Sequence, residues 1–211
     1  MPIDPRLLFL MRRAFEAKNE RFKGIKTRFL DIGCADGSFI KAVLDSGGCG
    51  VEIDGVDVPS RWLKAASAES ECSIYIQDLQ KGIGGMEAGR YHIATMWEVI
   101  EHVENVHEFL RNVSALLAPG GMAMLSSPNL LSLSRFIKGD RWVGTSEQDH
   151  KYLFDAKSLR MVLSRAGFRD IDVKGVFLPS MGPFFDWGNK LLSKSPGGGM
   201  LLAKAFKSEL T

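Results

Sequence analysis

The chain has 211 residues, 45% hydrophobic and 25% charged, with 27 basic and 25 acidic residues for a net charge of +2. That is enough chain to bury one core without disulfides, and the charge balance gives no general electrostatic case for a nucleic-acid partner. Cys34, Cys49 and Cys72 form no CxxC pair and cannot all pair with one another, which reads as reduced thiols in a cytoplasmic protein.

Residues 4–26 read as a basic helix, with Asp4 as its cap and Pro5 in its first turn. Arg6, Arg12, Arg13, Lys18, Arg21, Lys23 and Lys26 outnumber Asp4, Glu16 and Glu20. The plain role of this segment is a solvated cover over an edge of the domain; its basic face would alternatively meet an anionic acceptor or a membrane surface. The apolar run Leu7-Leu8-Phe9-Leu10-Met11 is too short for a signal-peptide core or a membrane span.

A strand–helix alternation then begins. Residues 27–32 form a short apolar strand, followed by a turn with Gly33 and Gly37 and a helix that carries Phe39, Ile40, Val43 and Leu44 and stops at Gly47-Gly48. Strands follow at 51–58 and 73–76, separated by a helix with Trp62, Leu63 and Ala66. Residues 82–89 are glycine-rich loop, and 91–96 form a fourth strand. Over 102–117, Val103, Val106, Phe109, Leu110, Val113, Leu116 and Leu117 share one face, which predicts a single helix ended by Pro119-Gly120-Gly121. A fifth strand spans 122–126, and 129–150 read as a loop or short helical insert. Asp155 caps a helix with Leu159, Val162 and Leu163 that Gly167 stops. Strand candidates at 168–177 and 200–206 flank an apolar insert at 178–199. Five strands alternating with helices imply a parallel, Rossmann-like sheet with helices on both faces, and the late pair adds an antiparallel edge.

The first turn reads Asp31-Ile32-Gly33-Cys34-Ala35-Asp36-Gly37. Its G-x-x-x-G spacing is not the dinucleotide G-x-G-x-x-G, and an acid two residues before the first glycine suits a cationic amino group better than a pyrophosphate. Asp57 ends the second strand, where carboxylates bind ribose hydroxyls; Asp78 ends the third, where it could accept from an adenine amino group. All three acids fall at carboxyl ends of strands, the edge at which open α/β sheets bind ligands.

In this order the motifs resemble those of class I S-adenosylmethionine-dependent methyltransferases. Phe29-Leu30-Asp31-Ile32-Gly33-Cys34-Ala35-Asp36-Gly37 resembles their first motif, with Ala35 where they often have glycine, and Gly55-Val56-Asp57-Val58 resembles their second. Tyr91 through Val103, Leu116-Leu117-Ala118-Pro119-Gly120-Gly121 and Ala166-Gly167-Phe168 are similar to their later segments. The resemblance implies a seven-stranded sheet with an antiparallel strand seven between five and six, and a helix before the first strand that serves as a lid. It implies S-adenosylmethionine held by Asp31, Gly33, Cys34, Ala35 and Gly37, by Asp57 and Val58, by Asp78 and Leu79, and by Trp97.

After strand four the chain reads Met96-Trp97-Glu98-Val99-Ile100-Glu101-His102, without the Asn/Asp-Pro-Pro-Tyr/Phe segment common among amino-group methyltransferases of DNA bases or glutamine. The Glu98-x-x-Glu101-His102 spacing is similar to ubiquinone-pathway O-methyltransferases and, more distantly, to small-RNA 2′-O-methyltransferases. Transfer to a hydroxyl of a small molecule is therefore expected, with His102, His150 and Glu98 as catalytic candidates. If a helix begins at Glu98, then Glu98, Glu101 and His102 share one face and suit Mg²⁺ or Mn²⁺, with His150 as a further ligand. The alternative leaves His102 as a metal-free base. Trp142, Phe184, Phe185 and Trp187 would wall an acceptor pocket, pack as core, or, in the insert, touch a membrane. Two other functions stay open: a non-catalytic S-adenosylmethionine-binding module and an NAD(P)-dependent oxidoreductase. The acceptor and the oligomeric state are not set by the sequence.

Overall fold

A computed structural model describes residues 5–46, 50–60, 63, 72–142, 149–177 and 197–208. The elements are α1 (Pro5–Arg21), β1 (Thr27–Ile32), α2 (Ser38–Asp45), β2 (Val51–Asp57), β3 (Ile74–Ile76), β4 (Tyr91–Trp97), α3 (Val106–Leu116), β5 (Leu117–Pro128), α4 (Leu133–Lys138), α5 (Ala156–Arg165), β6 (Phe168–Val176) and β7 (Met200–Lys207). Seven strands form one Rossmann-like sheet in the order β3-β2-β1-β4-β5-β7-β6. β7 runs antiparallel to both β5 and β6; every other pair is parallel.

Consecutive residues on the central strands supply opposite faces, as the two-residue repeat of a strand requires. Phe29, Ile93 and Met122 pack against Leu10, Met11 and Ala14 of α1 and Phe39, Ile40 and Val43 of α2. Their neighbours Leu30, Ala94 and Ala123 pack against Leu110 and Val113 of α3 and Leu159 and Leu163 of α5. Burial on both faces explains the near-continuous apolar runs of these strands. At about 1.5–3 kcal/mol for each large apolar side chain buried, both helical layers are needed to hold the sheet.

Several boundaries differ from the sequence reading. The helix expected over 102–117 is interrupted: Ile100–His102 form a 3-10 turn, Val103 is extended, and α3 starts at Val106. The cause is Asn105, whose side chain accepts from the Glu108 N–H at 3.2 Å and caps a new helix. Val103 stays in the apolar core although its backbone leaves the helix. β5 begins at Leu117, so Pro119-Gly120-Gly121 lie within its span. The insert at 129–150 contains α4 and a 3-10 turn, Gly139–Arg141. α1 ends at Arg21, earlier than expected. Asp4, Trp62, Ala66 and residues 178–196 of the apolar insert lie outside the described residues. No helix among the described residues is long and apolar enough to cross a membrane.

Candidate functional site

The carboxyl ends of β1, β2, β3 and β4 open onto a cleft of about 310 Å³ whose walls include Gly33, Asp57, Val58, Asp78, Leu79, Gln80, Glu98, Val99 and His102. Gly33 has φ 73°, and a Cβ there would stand 2.5 Å from Val99 Cγ2. Only glycine lets the segment after β4 close over the first turn. Ala35 is held at φ 45°, a left-handed conformation unusual for a residue with a side chain. Its N–H donates to Asp57 Oδ2 at 2.8 Å, and the Val58 N–H donates to Asp57 Oδ1 at 2.7 Å. Asp57 thus locks the first turn to the end of β2. Each oxygen retains acceptor capacity, which suits a vicinal diol.

Asp31 lies behind the cleft, not on its walls. It is buried and accepts a 2.8 Å hydrogen bond from the Thr95 hydroxyl. Burial raises its pKa to about 7; the Thr95 hydrogen bond opposes the rise and the Asp57 charge adds to it. Cys34 is also buried, and its thiol is pushed up to about 12 by burial and by the charges of Asp31 and Asp57, so it packs as an inert side chain. Trp97 rests edge-on against Phe39 at 5.5 Å. Its indole N–H is buried and has no hydrogen-bond partner among the described residues. Gly37 ends the first turn and precedes α2. At Asp78, burial works to raise the pKa, but hydrogen bonds from the Gln80 N–H and Lys81 outweigh it and hold the carboxyl below its usual range.

Glu98 adopts φ 55°, and its N–H donates to both the carbonyl and the hydroxyl of Ser126, at 3.2 and 3.1 Å. This left-handed residue turns the chain out of β4 and leaves its side chain exposed at the cleft. Glu101 is fully buried. Its carbonyl accepts from the N–H groups of Lys151 and Tyr152 at 2.7 and 3.2 Å, which brings His150 back beside His102. The two imidazoles stand 4.8 Å apart, and His102 Nδ1 is 3.3 Å from the Asp149 carbonyl. Glu101, His102 and His150 each offer a ligand atom within 4.8 Å of the others. Glu98 is not in that group: a 3-10 turn starting at Ile100 replaces the α-helix that would have aligned it with Glu101 and His102.

Of the two histidines outside this group, His92 Nδ1 accepts from the Arg28 N–H at 3.0 Å and its ring lies edge-on to Phe22, a structural role. His107 is exposed on α3, and Trp142 is buried. Phe184, Phe185 and Trp187 fall outside the described residues. Sequence reasoning missed Thr95, Gln80 and Ser126, whose partners Asp31, Glu104 and Glu98 lie 24 to 64 residues away and leave no local pattern.

A family model described as a methyltransferase domain matches residues 5–173. The chain is 32% identical over 190 residues to a ubiquinone biosynthesis O-methyltransferase of Caulobacter sp. (strain K31), covering 82% of this chain and 71% of that protein. It is 25% identical over 161 residues to the protein of the same description from Rickettsia canadensis (strain McKiel), covering 72% of this chain and 66% of that one. Among solved structures it resembles an S-adenosylmethionine-dependent methyltransferase from Archaeoglobus fulgidus, with TM-score 0.66 and 20% identity over 95% of this chain and 94% of that one. At that identity the likeness is one of fold.

Proposed function

The chain belongs to the class I S-adenosylmethionine-dependent methyltransferases, and on that premise we propose that it methylates a hydroxyl oxygen of a small molecule. One observation carries the oxygen: His102 borders the cleft immediately after β4, with the His150 ring 4.8 Å from its own and the buried Glu101 next to it in the chain. A hydroxyl acceptor must lose a proton as it is methylated, and an imidazole is the side chain suited to take it near neutral pH. The similarity to proteins described as O-methyltransferases supports the same reading.

In this proposal the cofactor brings an electrophilic methyl group on a sulfonium, and the protein's work is to bind, align and exclude water. Asp57 accepts from the ribose hydroxyls and Asp78 from the adenine amino group. Asp31 would balance the amino cation from behind the cleft wall, without lining it, while Gly33, Ala35 and Gly37 let the backbone come close. Cys34, Val58, Leu79 and Trp97 pack around the same ligand. His102 receives the acceptor's hydroxyl proton, His150 steadies His102, and Glu98 faces the reacting end of the cleft.

A second reading is favoured by the convergence of Glu101, His102 and His150 on one point. A carboxylate and two imidazoles can hold a divalent ion, and this donor set suits Mn²⁺ better than the oxygen-seeking Mg²⁺; the ion would lower the pKa of the acceptor hydroxyl. In that form His102 is a ligand and not the base.

A peripheral membrane contact fits the described surface as well. Leu131, Leu133, Phe136 and Ile137 are exposed on and beside α4, next to Lys138 and Arg141. Apolar tips flanked by cations suit an anionic bilayer.

The test of the reaction is incubation with methyl-labelled cofactor and fractionated metabolites, including phenols, followed by identification of the labelled product. An O-methyl product is expected. A labelled amine or carbon would refute the oxygen assignment. Cofactor binding with no transfer to any fraction would leave a non-catalytic binding module.

A further inference from the structure

Gln80 joins two parts of the cleft that the sequence keeps apart. Its own N–H donates to Asp78 Oδ1 at 3.0 Å and its Nε2 reaches the same oxygen at 3.3 Å. Its Oε1 accepts from two successive backbone N–H groups, Glu104 and Asn105, both at 2.9 Å. Those two residues link the 3-10 turn bearing Glu101 and His102 to α3. They also receive the return segment, because the Tyr152 hydroxyl donates to the Glu104 carbonyl at 3.0 Å. The carboxamide can satisfy both sides in only one orientation: two N–H groups demand its oxygen, and a carboxylate demands its nitrogen. Rotated by half a turn, it would set donor against donor and acceptor against acceptor.

We propose that Gln80 is a positioning residue that couples ligand occupancy at Asp78 to the order of the segment carrying Glu101, His102 and, through Tyr152, His150. A ligand that fixes the Asp78 carboxylate fixes the face that holds Gln80 Nε2. The carboxamide is then held with its oxygen toward Glu104 and Asn105. The acceptor side of the cleft becomes ordered after the cofactor side is filled, which makes cofactor-first binding the favoured sequence. Fixing the segment costs less once the first ligand has paid for the orientation. The proposal rests on the family reading for the identity of the ligand.

The experiment is residue-resolved amide hydrogen exchange on the whole chain, with and without S-adenosylhomocysteine, in wild type, Gln80→Met and Gln80→Glu. Calorimetry on the wild type first establishes that the probe binds. In the wild type, exchange at Glu104, Asn105, Lys151 and Tyr152 is expected to slow about tenfold with the probe, within the range of ordinary coupling energies. Gln80→Met has similar length but neither donor nor acceptor; Glu104 and Asn105 should exchange faster in the free protein, and the probe's effect at all four amides should disappear. Gln80→Glu keeps the acceptor oxygen and lacks the donor toward Asp78; it should recover the free-state protection without the probe-dependent increment. Equal probe-dependent slowing in wild type and Gln80→Met, or its recovery in Gln80→Glu, overturns the coupling. Failure of the wild type to bind the probe overturns the cofactor reading itself.

Discussion

Thr95 donates its hydroxyl to Asp31 at 2.8 Å across the β1–β4 ladder, where the two residues are register partners. Burial nevertheless raises the Asp31 pKa to about 7 from an ordinary 3.8, so the folded protein holds this proton far more tightly than the unfolded chain. The linked stability is full below the unfolded value and is lost as pH rises through about 7. The free wild type should therefore lose stability between pH 5 and pH 8 relative to Asp31→Asn, by roughly 2.5 kcal/mol. Urea unfolding at the two pH values checks this, and parallel pH dependence in both proteins would refute it. A cationic ligand group bound beside Asp31 should favour the carboxylate and release a proton, read as a dependence of the binding heat on buffer ionisation enthalpy.

Asp57 is the acceptor assigned to the ribose and the clamp for the Ala35 and Val58 N–H groups. Asp57→Ala should weaken binding of S-adenosylhomocysteine by roughly 1.5–3 kcal/mol, the range for hydrogen bonds to a charged group. Titration calorimetry showing unchanged affinity would remove Asp57 from the site.

The metal and metal-free forms of the reaction separate by chelation. If His102 is the base, methyl transfer survives exhaustive chelation and falls by about 10²–10⁴-fold in His102→Ala. If Glu101, His102 and His150 hold an ion, chelation abolishes transfer, Mg²⁺ or Mn²⁺ restores it, and Glu101→Gln loses the restoration. Each result excludes the other form.

The apolar tips of α4 give the membrane contact a direct test. Wild type should sediment with vesicles containing anionic lipid more than with neutral ones, and Phe136→Ser/Ile137→Ser should lose that binding. Equal and negligible pelleting of both proteins would count against the contact at this surface.

The alternation of strands and helices was legible in motifs written locally along the chain, whereas the antiparallel strand between the fifth and sixth was implied by the family resemblance and the full strand order came from the structure. Apolar runs, the glycines at 33 and 37 and the proline-glycine turn each act within a few residues of themselves. Periodicity failed over 102–117 because Val103 keeps an apolar position in both a helix and an extended segment. The apolar pattern cannot tell these apart, whereas the Asn105 cap does. The same break detached Glu98 from Glu101 and His102, since their expected alignment depended on one continuous helix.

The sequence by itself determined the sheet and the carboxyl edge on which Asp31, Asp57 and Asp78 stand, because short-range hydrophobic period and turn chemistry set both. Only the tertiary structure decided that Asp31 sits behind the cleft on Thr95, that His150 returns beside His102, and that Gln80 reaches residues 104 and 105. Those relations depend on side-chain burial and on hydrogen bonds across 24 to 64 residues, which no local pattern encodes.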